Sequence, residues 1–166
     1  NLHDKTINGK FKIDTEGFDL GSLMATQPVG QVKARAEGEI GLTLNDLQRS
    51  NGDVKVEAPS VFVNGQELTD IFVTLQKQGK QTDLQAQVSG LVANGEVMAS
   101  CTLDGPASTW DVTGNDLRLD CNAFGILPKQ AAVFQVASLD VKATGNNEDN
   151  VTGFARISDI NYTPAK

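Results

Sequence analysis

The sequence predicts an all-β fold laid out as one long antiparallel meander. Apolar and polar residues alternate with a period of two along most of the chain, the spacing that gives a strand one dry face and one wet face. Asn-Gly and Asp-Gly pairs punctuate the runs; both tolerate the positive φ angles of tight hairpins. Strands that are wet on one side belong to antiparallel sheets rather than to doubly covered parallel ones.

The first strand pattern begins within the first ten residues and is followed by one short helix near residues 19–26. Asp19 is placed to cap Leu20-Gly21-Ser22-Leu23-Met24-Ala25, with Leu20, Leu23 and Met24 on one face and Pro28 as the stop. Such a helix reads as a plug at one end of the sheet. Next, Val32, Ala34, Ala36, Gly38 and Ile40 alternate with Lys33, Arg35, Glu37 and Glu39, and a second helical turn fits around Leu44–Leu47. Val54 and Val56 flank Lys55; Ile71, Val73 and Leu75 form the next apolar row; Leu84, Ala86 and Val88 alternate with Gln85 and Gln87. Val97, Ala99, Cys101 and Leu103 alternate with Met98, Ser100 and Thr102, and Trp110 and Val112 precede Leu117, Leu119 and Cys121. The stretch Phe124–Gln135, with Pro128, has no clear period, after which Leu139, Val141 and Ala143, then Val151, Ala155 and Ile157, close the series. Turns are expected at Asn8-Gly9, Asn51-Gly52, Asn64-Gly65, Asn94-Gly95 and Asp104-Gly105, with longer loops at Lys77–Lys80 and Gly145–Asn147. The count comes to about ten or eleven short strands.

A weak repeat runs through this pattern. Asn45-Asp46-Leu47, Thr69-Asp70-Ile71, Asn115-Asp116-Leu117 and Ser158-Asp159-Ile160 each set a small polar residue and an Asp before a branched aliphatic. Spacings of this order suit an array of two-strand units. As calcium ligands these Asp residues have no D-x-D-x-D-G run to support them, and capping a turn through the side-chain oxygen is the simpler reading.

Composition excludes more than it assigns. The net charge of −7 argues against nucleic acid, whose binders concentrate Lys and Arg. The single histidine, His3, leaves little material for His-based acid–base or zinc chemistry, and no G-x-S-x-G, Walker, H-E-x-x-H or C-x-x-C motif is present. No catalytic residue, metal or cofactor is therefore expected, and the chain does not read as an enzyme. No apolar run approaches the ~18 residues of a spanning helix. The chain opens at Asn1 without a signal segment and reads as one segment, 1–166, of a longer protein, so that any membrane anchor or export signal would lie outside it. Cys101 and Cys121 occupy the apolar phase of their strands and are expected to pack as small hydrophobes rather than to bridge.

The dry face is rich in Val, Ala, Leu and Ile and poor in aromatics beyond Trp110, Phe11, Phe72 and Phe134. Two architectures accommodate it. In a β-sandwich two such faces fill each other about 10 Å apart. Ala86, Ala99, Ala143, Ala155 and Gly153 are small for that role, because small core residues leave costly voids. They point equally to a sheet that curls and leaves space along its axis, a trough roughly 50 Å long for ten strands.

A resemblance favours the trough. Gly17-Phe18-Asp19-Leu20-Gly21-Ser22-Leu23, followed by Val29-Gly30-Gln31-Val32 and a small-residue strand ending near Gly41, resembles a unit of the AsmA-like family in its TamB branch, the inner-membrane component of the translocation and assembly module. Leu42–Leu47 resembles that family's continuation, as does Val61–Leu75, where a hairpin leads into a strand opened by Asp-Ile. The similarity covers residues 8–121. It implies a U-shaped open groove (a β-taco) in the periplasm of a Gram-negative cell, tethered to the inner membrane through a segment outside this chain. It further implies that phospholipid acyl chains move along the groove between the membranes in support of outer-membrane biogenesis, with an outer-membrane β-barrel protein as a further partner. The family offers no catalytic residue. What it transfers is an apolar lining, here Val54, Val56, Ile71, Val73, Leu75, Leu84, Ala86, Val88, Val97, Ala99, Cys101, Leu103, Val112, Leu117, Leu119 and Val141. Two other readings stand beside it: a scaffold that assembles β-barrel proteins by strand-edge pairing, and a β-sandwich binding module.

Overall fold

The alternating stretches fold as nine strands hydrogen-bonded in sequence order, β1-β2-β3-β4-β5-β6-β7-β8-β9, each antiparallel to the next. The computed structural model describes residues 6–19, 29–43, 46–63, 66–104, 107–121, 123, 132–145 and 150–164. The strands are β1 (Thr6–Asp19), β2 (Val29–Thr43), β3 (Asn51–Val63), β4 (Gln66–Gln78), β5 (Gln81–Gly90), β6 (Ala93–Asp104), β7 (Ala107–Asp120), β8 (Ala132–Thr144) and β9 (Thr152–Pro164). In the ladder β1 pairs with β2 and β9 with β8, and the two do not pair with each other. The sheet is therefore open, an all-β meander without closure into a barrel.

One 3-10 turn, Leu47–Arg49, links β2 to β3. Asp46 caps it by accepting from the Gln48 amide at 3.1 Å and pairs with Arg49 at 3.1 Å. The Ser50 hydroxyl, only 2% exposed, accepts from the Thr43 amide. The helical turn expected at Leu44–Leu47 thus falls slightly later in the chain. Asp19 is the last residue of β1; the rest of the helix expected at 19–26 lies outside the described residues.

The pairing is irregular at one level across the sheet, with a further shift between Val29 and Val32 on β2. Asp70 and Ile71 together stand opposite Val88 alone, since Thr69 pairs with Ser89 and Phe72 with Gln87. On β7, Asp116 and Leu117 stand opposite Gly95 alone, and Val88 faces Gly95 across β5 and β6. Ala58 and Pro59 stand opposite Ala34, and Gly17 is the extra residue of β1. Pro59 faces Asp70, while Asp116, Ala137 and Asp159 face one another in turn. These irregularities form a continuous transverse crease from β1 to β9. An extra residue in a strand bends it and increases its twist.

The repeated Asp residues mark that crease. Asp70, Asp116 and Asp159 have φ of 51°, 50° and 52°, and they are the non-glycine residues in the left-handed region among those described. Asp tolerates this conformation better than most L-residues because its short polar side chain bonds locally. The left-handed Asp also resets the side-chain phase. Val112 and Gly114 share a face with Leu117, and Ala155 and Ile157 with Ile160, although simple alternation would have turned both aliphatics outward.

Two expectations need correction. Among the described residues the strands number nine, against an expected ten or eleven for the chain, and they run 10–15 residues instead of being short. A mid-strand bulge interrupts alternation, so that one long strand resembles two. Asn8-Gly9 and Asn94-Gly95 lie inside β1 and β6, and Asn51-Gly52 opens β3, so none of the three forms a hairpin turn. Gly95, with φ of 136°, serves the crease, and the β5–β6 hairpin turns instead at Leu91-Val92. The loop expected at Lys77–Lys80 tightens to Gly79-Lys80, with φ of 58° at Gly79.

Candidate functional site: an open apolar sheet face

Residues directly opposite in an antiparallel ladder share a face. Phe11, Gly38, Val54, Leu75, Leu84, Ala99, Val112, Val141 and Ala155 are successive cross-strand partners. Ile13, Ala36, Val56, Val73, Ala86, Val97, Gly114, Leu139 and Ile157 form a second such row beside them. Both rows are apolar from β1 to β9 and cross the whole sheet, a width of ~38 Å at strand spacing.

All of the expected lining residues meet on this face. Ten lie in the two rows, and Ile71, Val88, Cys101 and Leu103 extend them along their own strands. Leu117 and Leu119 reach the same face beyond the crease. The face also takes in Ile7 and Ile13 of β1 and Ile160 and Tyr162 of β9, outside the expected set. Their signal was available: Ile7, Gly9, Phe11 and Ile13 alternate strictly. Phe134 and Tyr162 pack there as a tilted pair, with ring centroids 5.2 Å apart and an interplanar angle of 53°.

Nothing among the described residues covers this face. Strands pack substantially only against their sequence neighbours, and the buried apolar residues are few: Ala58, Leu68, Val92, Cys101 and Cys121. Ile13 is 53% exposed, Trp110 46% and Ile160 61%. A sandwich would enclose such side chains in a second layer. Here they form a contiguous exposed patch of the kind that marks an interaction surface.

The opposite face is polar and largely self-satisfied. Lys10 pairs with Glu39 at 3.0 Å, Arg35 with Glu37 at 3.2 Å and Lys142 with Asp111 at 3.0 Å, all well exposed. The Gln81 amide donates to Ser100 at 2.7 Å, and the Gln85 amide to Glu96 at 2.8 Å. A shallow basin of about 320 Å³ on this side has Thr74, Gln76, Asp83, Gln85, Ser100 and Asp111 among its lining residues. No group of three potential metal ligands occurs among the described residues, and Asp70, Asp116 and Asp159 sit on separate strands.

Cys101 and Cys121 are both buried and unbridged. Cys101 faces Trp110 on β7, which lies eleven residues before Cys121, just past the end of that strand. That separation is ~36 Å, far beyond the ~7 Å limit for a disulfide. Burial raises the Cys101 thiol above its ordinary value of 9.0, against a smaller opposing pull from the charge of Lys77. Compared with family models, curated proteins and solved structures, the chain finds no match in any of the three.

Proposed function

We propose that the open apolar face is a conduit for phospholipid acyl chains, and that this chain is a periplasmic segment of a bridge-like lipid-transfer protein of the AsmA-like, TamB type. The pair of uninterrupted apolar rows on a single-layered sheet carries this reading. Each methylene laid on such a floor gains about 0.8 kcal/mol, while headgroups stay in water beyond the strand ends. Transport of this kind is passive and non-catalytic, because it needs repeated shallow contacts and no tight polar pocket. The polar face keeps the elongated sheet soluble. A tether in the inner membrane and delivery towards the outer membrane belong to the same proposal.

The test is mass spectrometry of the purified chain for bound phospholipid, with Val97→Asp beside it. Stoichiometric lipid on the wild type and its loss from the variant is the expected outcome. Lipid-free wild type after extraction from a phospholipid-rich host would overturn the reading. The strand-edge scaffold remains a second reading on one observation: β1 and β9, of 14 and 13 residues, each have one edge with no partner strand among the described residues. Such edges are templates for an added strand.

A further inference from the structure

The apolar face changes character one step below its two long rows. Gly52, Lys77, Thr82, Cys101, Trp110, Ala143 and Gly153 are successive partners across β3 to β9, along the line where β4 turns into β5. Lys77 is the one charged side chain that the described strand residues place on this face. It shares that face with Leu75, two residues back and ~7 Å further in, and its charge is felt at the Cys101 thiol on the same row. Its head reaches the strand end, where the ammonium donates to the Gly79 carbonyl at 2.6 Å. An ammonium has three donors, so this bond leaves two for another acceptor. Trp110, 46% exposed on the same row, is the residue type that settles where apolar and wet surfaces meet.

This arrangement has the polarity profile of a glycerophospholipid: a cation at the rim and aliphatic floor within one residue pair of it. A net charge of −7 makes the placement informative, because the chain as a whole has no net attraction for anions. Resting on the lipid reading above, we infer that Lys77 is a headgroup contact, pairing with the phosphate of a phospholipid whose acyl chains lie on the rows behind it.

The experiment compares three fluorescent probes on the whole chain, the lipids delivered from methyl-β-cyclodextrin: dioleoyl phosphatidylglycerol, dioleoylglycerol, which lacks the phosphate, and glycerol 3-phosphate, which lacks the tails. Wild type should prefer the phospholipid over dioleoylglycerol by about three- to tenfold, the range for a charge-assisted contact at a partly exposed site. Lys77→Gln should remove that preference without weakening dioleoylglycerol, and Lys77→Arg should restore it. Urea midpoints of both variants matching wild type would separate contact from folding. Equal binding of the two lipids by wild type overturns the role of Lys77 and leaves the conduit standing. Binding of neither lipid overturns both. Glycerol 3-phosphate binding as tightly as the phospholipid overturns the headgroup assignment in favour of a free-phosphate site.

Discussion

Leu117 lies across Gly95: a Cβ on that glycine would stand 2.9 Å from Leu117 Cδ2, and one on Gly114 would stand 2.8 Å from its Cδ1. The contact exists because the left-handed Asp116 turns Leu117 back onto the apolar face. Large residue over glycine recurs at Phe11, whose Cζ would meet a Cβ on Gly38 at 2.8 Å. Such pairing lets a single layer acquire close packing that it lacks a second layer to supply.

Gly114→Ala should therefore destabilise by about 1–3 kcal/mol, the usual cost of overpacking. Leu117→Ala in the same background should relieve part of that loss, giving a coupling in a double-mutant cycle read by urea denaturation. Additive effects would mean that the leucine yields freely.

The crease makes a different demand at Asp116. Glycine adopts φ near 50° at no steric cost, whereas a β-branched residue does so only with strain. Asp116→Val should cost about 1–2 kcal/mol relative to Asp116→Gly. If the two variants unfold at the same urea concentration, the bulge is not fixed by this residue's conformation.

Much of this was legible in the sequence. Period two in β4, β5 and β6 assigned Leu75, Leu84 and Val97 to one face without ambiguity. The crease was visible only as symptoms. The apolar phase passes from Val112 to Leu117, an even-to-odd change, and an Asp recurs before an aliphatic at the same places. Positive φ in mid-strand leaves no hydropathy signature, so these symptoms read as strand breaks and turn caps, and the strand count came out too high. Lys77 was hidden for a related reason, because a lysine near a glycine turn reads as loop until the register puts it in line with Cys101 and Trp110.

The Cys101 thiol supplies a pH dependence. Burial raises it in the folded chain above 9.0, so on titration upward the unfolded chain loses its proton first. Stability is unaffected by this group below pH 9 and falls as pH climbs from 9.0 through the raised native value. Cys101→Ala should flatten that part of the profile, measured as urea midpoint against pH. In the native chain Cys101 should also react with iodoacetamide at pH 8 more slowly than an unhindered thiol, and at the ordinary rate once unfolded.

Neighbouring residues on opposite faces provide the sharpest check of the conduit. Leu84 lies in an unbroken apolar row, and Gln85, the next residue, points to the polar side, where it bonds Glu96. Both are partly exposed, so a carboxylate at either position keeps access to water and the fold should survive. The difference falls on the ligand. At Leu84 an acyl chain would have to cover the charge, and an unpaired carboxylate resists desolvation; at Gln85 the chain never meets it. Leu84→Asp should therefore lower lipid retention at least tenfold, equivalent to about 1.4 kcal/mol, while Gln85→Asp leaves it within twofold of wild type. Native mass spectrometry of both variants reads the ratio directly. Equal loss from the two would mean that lipid does not distinguish the faces, and equal retention would mean that it is held elsewhere.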